Sequence, residues 1–153
     1  MSVIRSTSDL TPSFSFSWTR PVFERSFGTW RADWAINAAA RHPDRVAAAA
    51  SIHGTRLITD QPDSPHLAAR RAKAEFYVAC AETDRYAPLE MVGSLRQSLR
   101  EGGVNAEVEL YPGVEHGFAF PQRPAYDKAA AERHWERLFT LFASALTLTE
   151  GAP

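Results

Sequence analysis

From about Trp30 onward, apolar and polar positions fall into regular blocks, each with the period of one kind of element. WRADWAINAAARH is alanine-rich and stops at His42-Pro43, because the residue before a proline is pushed out of the helical region. It predicts a helix. RVAAAASIHG is a short apolar run ended by glycine, the profile of a strand buried on both faces. GTRLITDQPDSPH reads as a loop, with Pro62 and Pro65 among polar turn formers. AEFYVACAETD is a second buried strand, continuous from Phe76 to Cys80.

In APLEMVGSLRQSLREGG, Leu89, Val92, Leu95 and Leu99 make one helical stripe. Pro88 suits its first turn, and Gly102-Gly103 provides the stop. AEVELYPG alternates, with Val108 and Leu110 on one face and Glu107 and Glu109 on the other, as expected of a strand near a sheet edge. RPAYDKAAAERHWERLFTLFASAL closes the series as a long amphipathic helix whose Trp135, Leu138, Phe139, Phe142 and Leu146 form an expected core stripe. Helix, strand, helix, strand, helix with intervening loops predicts an α/β fold of about three parallel strands with flanking helices, joined by right-handed crossovers.

Chemistry gathers at the carboxyl ends of such strands, and two of these ends carry candidates. The second strand runs into AETD and delivers Asp84; the third runs into YPGVEH and delivers His116. An acid and a histidine on loops after successive parallel strands match the later two members of an α/β-hydrolase triad. His53, His66 and His134 lack the paired spacing of a zinc motif and are expected at the surface or in turns. Cys80 lies within the strand before Asp84, as a buried apolar thiol does.

Bulk properties narrow the classes. The 153 residues suffice for one domain with its own core. With 17 Lys and Arg against 18 Asp and Glu, the charge suggests neither nucleic acid nor an anionic membrane as partner. The single cysteine fits a reducing compartment, and no apolar stretch is long enough to span a bilayer. Residues 1–29 have no apolar signal-peptide core. A cytoplasmic location is the expectation.

The stretches RHPDRVAAAASIHGTRL, DSPHLAARRAKAEFYVACAETD, LYPGVEHGFAF and PAYDKAAAERHWERLF, covering nearly everything from Asn37 to Phe142, resemble the dienelactone hydrolase family of α/β-hydrolases. The resemblance implies hydrolysis of a small ester or lactone by a Cys-His-Asp triad, with no metal and no organic cofactor. Asp84 would be the orienting acid and His116 the general base. The family's nucleophile turn reads Gly-x-Cys-x-Gly-Gly, and here the corresponding stretch is FGTWRAD. Thr29 stands in the cysteine slot, Phe27 and Arg31 in glycine slots and Ala32 in the last. A threonine nucleophile needs a tight, exposed turn that Phe27 and Arg31 do not supply.

The first half of the family's sheet has no counterpart before that stretch. The expected organisation is a divergent leader at 1–29, a partial hydrolase-like domain at 30–148 and a tail at 149–153. Within the leader, SFSFSW alternates like an edge strand, while its serine content suits disorder equally. A shifted reading frame or a misplaced gene start would produce such an abrupt change. Two functions follow: a hydrolase acting on small esters or lactones, or a non-catalytic remnant or interaction module keeping the second half of the fold. The strand VAAAASIHG would lack its usual neighbour, and an unpaired edge invites self-association.

Overall fold

A computed structural model describes residues 2–5 and 33–149. The sheet has four strands: β1 (Ser2–Arg5), β2 (Val46–Ile52), β3 (Glu75–Thr83) and β4 (Ala106–Glu115). Their spatial order is β1-β2-β3-β4. Helix α1 (Asp33–Arg41) precedes β2, and a short helix α2 (Pro65–Ala68) with a 3-10 turn (Ala69–Arg71) lies between β2 and β3. Helix α3 (Leu89–Glu101) joins β3 to β4, and α4 (Lys128–Thr149) follows β4. The three strands expected from the apolar runs are parallel, with Ala50 beside Tyr77 and Val78 beside Val108.

The alternation of strand side chains divides the interior into two layers. Ala49, Phe76, Val78 and Cys80 face α1 and α3, where they meet Ile36, Val92, Leu95 and Leu99. Ala48, Ala50, Tyr77, Ala79 and Ala81 face α4 and the loop before it, against Leu138, Leu141, Ala145 and Phe118. The alanines of β2 let helices approach closely from both sides, which outweighs their helix preference. Helix α3 ends where Gly103 turns left-handed at φ 65°, as expected of a glycine stop.

Three expectations need correction. The edge of β2 is not open: β1 pairs with it antiparallel, setting Ser2 opposite Ala50 and Arg5 opposite Val46. The expected self-association through an unpaired β2 edge therefore loses its premise. The stripe on α4 is displaced. Trp135 and Phe139 are 46% and 70% exposed, and the buried positions are Ala131, His134, Leu138, Leu141 and Ala145. Leu89 is likewise exposed on α3.

Two arginines of α4 reach across to β4. Arg133 Nε lies 2.6 Å from Glu109 Oε1, and Arg137 pairs with Glu107. These ion pairs flank the face of α4 that packs on the sheet, where Ala131, His134, Leu138, Leu141 and Ala145 recur every three or four residues and leave Trp135 and Phe139 outward. The polar face of β4 thus meets arginines, with Glu109 largely covered and Glu107 still exposed. Glu109 also accepts the hydroxyl of Tyr77 at 2.9 Å. The SFSFSW alternation, Thr29 and the glycine slots around it lie outside the described residues.

Candidate active site

The sheet's carboxyl rim brings Asp84 and His116 together. Strand β3 stops at Thr83, and Asp84 opens the turn that leads into α3. Strand β4 ends at Glu115 and hands over to a tight turn that begins with His116. The amide of His116 donates to the carbonyl of Thr83 at 3.2 Å, tying the two turns. Gly117, at φ 101°, lets the chain reverse immediately after the histidine.

The side chains meet at 2.7 Å, from His116 Nδ1 to Asp84 Oδ2. The Asp84 side chain is fully buried, while His116 keeps 26% of its side chain exposed. The other carboxylate oxygen of Asp84 accepts the amide of Tyr86 at 2.8 Å. Burial pushes the Asp84 carboxyl up, but the hydrogen bond from His116 and those from the amides of Tyr86 and Ala87 outweigh it. The net result lies below the ordinary carboxylate value, so Asp84 is ionised at neutral pH. An ionised carboxylate accepts the Nδ1 proton, which fixes the tautomer of His116 and leaves Nε2 as the basic nitrogen. The arrangement can take up and return a proton at Nε2 of a partly exposed imidazole.

Aromatic rings surround the pair. Tyr86 sits edge-on to His116 with centroids 5.1 Å apart. On the other side stands a residue that the sequence pattern places in a turn or at the surface. His53 is only 7% exposed, its ring centroid 5.2 Å from that of His116. A usable signal was present: His53 follows the end of β2 directly, the same strand-end position that singled out Asp84 and His116. His134 is a second correction, because it is 2% exposed inside the α4 layer and stacks on Tyr77. His66 lies within the short helix α2, half-buried, rather than in a turn, its Nδ1 2.8 Å from the hydroxyl of Ser64.

Cys80 is 1% exposed on the α1–α3 side of the sheet, and burial pushes its thiol up to about 11. A thiol so disfavoured as thiolate is a poor nucleophile. Among the described residues, no three His, Cys, Asp or Glu converge to hold a metal ion, and no helix is long and apolar enough to cross a membrane.

Comparison with known proteins gives a consistent result. A family model described as the dienelactone hydrolase family matches residues 30–146. A candidate carboxymethylenebutenolidase of Salmonella typhi is 32% identical over 108 residues, which span 68% of this chain and 40% of the relative. One from Escherichia coli (strain K12) is 32% identical over 107 residues, with 67% and 39% covered. The crystal structure of a candidate dienelactone hydrolase from Klebsiella pneumoniae superposes with a TM-score of 0.67 at 26% identity, covering 74% of this chain and 48% of that one. The chain thus spans about 40% of the length of these curated relatives.

Proposed function

Since the chain belongs to the dienelactone hydrolase family, we propose that Asp84 and His116 are the acid and base of a site for hydrolysing small esters or lactones. The observation that carries this reading is the 2.7 Å contact between His116 Nδ1 and a fully buried Asp84 carboxylate. In this reading His116 Nε2 removes a proton from the attacking group. Asp84 steadies the imidazolium that results, and the proton then passes to the leaving oxygen.

The nucleophile is where this chain departs from its family. Thr29 occupies the cysteine slot, and Phe27 and Arg31 replace glycines of the sharp turn. Water activated by His116 is then the attacking group. A lost oxyanion donor costs about a hundredfold to a thousandfold in rate, and a triad without its nucleophile keeps only residual catalysis. We therefore expect the chain as written to hydrolyse p-nitrophenyl acetate and simple lactones little faster than buffer. His116→Ala removes what remains, and Thr29→Cys does not rescue turnover. Robust wild-type turnover that vanishes in His116→Ala would overturn the missing-nucleophile reading, and Cys80→Ala would then test the thiol.

A different observation favours a second reading, that of a non-catalytic remnant or interaction module. Trp135 and Phe139 stand exposed on α4 and touch one another, with centroids 6.4 Å apart. Adjacent exposed aromatics are enriched where proteins meet partners. If this reading holds, size-exclusion chromatography with light scattering finds self-association that Phe139→Ser reverses. A concentration-independent monomer counts against it.

A further inference from the structure

His53 is a buried histidine beside the pair, and nothing in the acid–base chemistry above uses it. Its backbone is left-handed, at φ 56°, a region sparsely populated by residues other than glycine. Its amide donates to the carbonyl of Ala79 at 3.2 Å, fastening it to β3. Its ring lies edge-on to Phe118 at 4.7 Å and against Phe120 at 5.4 Å. The ring accepts a hydrogen bond at Nδ1 from the amide of Gly117, 3.4 Å away. Gly117 is the residue immediately after His116.

This environment penalises charge on His53. Burial first, then the neighbouring His116, His134 and Arg123, push its pKa down to about 4, and Asp84 only partly opposes them. Asp84 and His116 face it from the turns after β3 and β4, His134 from α4, and Arg123 from the loop between β4 and α4. At neutral pH the ring is uncharged, with Nδ1 the acceptor and the proton on Nε2. A phenylalanine would fill the same space without the cost of burying a polar ring. What imidazole supplies, and phenyl cannot, is the Nδ1 acceptor.

We propose that His53 is a positioning residue for His116: as a neutral imidazole, it holds the Gly117 amide through Nδ1 and so fixes the turn that keeps His116 on Asp84. The proposal rests on the reading of Asp84 and His116 as an acid–base pair, and it can be tested without turnover. Two NMR signals report it: hydrogen-exchange protection of the Gly117 amide, and the downfield Nδ1 proton of His116 bonded to Asp84. His53→Asn keeps a short acceptor and tolerates the left-handed backbone, and it retains both signals. His53→Phe keeps the ring but loses the acceptor. Its Gly117 protection falls by about tenfold, as for loss of one ordinary hydrogen bond, and its His116 proton signal broadens away. Should His53→Phe fail to fold, His53→Gly, which keeps the backbone conformation, shows the same losses. A folded His53→Phe or His53→Gly with both signals intact would overturn the proposal and leave His53 a packing residue, as would a folded His53→Asn that loses them. A wild type that protects the Gly117 amide, and loses that protection in His53→Phe, yet shows no downfield His116 proton would count against the acid–base pair alone.

Discussion

Acidification from pH 7 toward pH 4 is expected to destabilise this protein through two buried histidines. His53 and His134 are both buried, and burial is the largest cause that brings each from the ordinary 6.5 down to about 4. In the unfolded chain each binds a proton near pH 6.5; in the folded chain neither does until about pH 4. The unfolded state therefore binds more protons throughout that window, and stability falls as the pH drops. The contribution is fully present above pH 6.5 and lost progressively toward pH 4. Every tenfold difference in proton affinity between the unfolded and folded chain is worth about 1.4 kcal/mol. Two shifts from 6.5 to about 4 therefore set an upper bound of about 7 kcal/mol for the pair.

Asp84 acts lower down. Its folded value lies below that of the unfolded chain, so its stabilisation is complete above about pH 4 and disappears as the pH falls further. Domains of this size are stable by only about 5–15 kcal/mol, so the histidine loss is a large share. Urea midpoints at pH 7, 5.5 and 4.5 measure it, and His134→Leu flattens the profile. A constant midpoint across that range would show that neither histidine is buried in its neutral form.

Phe118→Ala is expected to cost about 3–5 kcal/mol, the usual penalty for deleting a buried aromatic ring. Phe118 is fully buried. It stacks on Tyr111 at 4.8 Å and meets His53 edge-on. Its amide donates to the carbonyl of Glu115, and its own carbonyl accepts the amide of Asp127, each at 3.1 Å. The ring is therefore the peg on which the turn carrying His116 is hung, and α4 begins directly beyond. A fall in melting temperature on the order of 10–20 °C corresponds to that loss. Phe118→Leu keeps most of the volume and loses less. If Phe118→Ala melts within a few degrees of wild type, the turn is anchored elsewhere.

Strong local periodicity explains what was legible in the sequence. The runs over β2 and β3 are buried on both faces, so they read as continuous apolar strands without knowledge of their neighbours. Asp84 and His116 were visible because they sit at strand ends, where an α/β sheet gathers its polar side chains. The positions misread are those where a long-range partner overrides the local pattern. Trp135 and Phe139 fit a helical stripe, but a second stripe, Ala131, His134, Leu138, Leu141 and Ala145, is the one that meets the sheet. Nothing within α4 shows which of the two the sheet will take. His53 and His134 were expected at the surface or in turns because neither has the paired spacing of a metal motif. Their burial is decided by Phe118 and Tyr77, which come from other elements. The pairing of β1 was illegible for the same reason: four residues cannot announce a partner beyond α1.

That remoteness has a kinetic meaning. Strands β2, β3 and β4 join through successive helical crossovers, each closing over a modest stretch of chain. The contact between β1 and β2 spans everything from Arg5 to Val46, and closing so long a stretch costs more entropy than either crossover before the short strand returns any stabilisation. Few residues share the gain, so β1 assembles after the parallel strands and frays before them in native-state opening. The flank of β2 is consequently a transient surface, sealed in the native state and bared in its lowest-lying excursions.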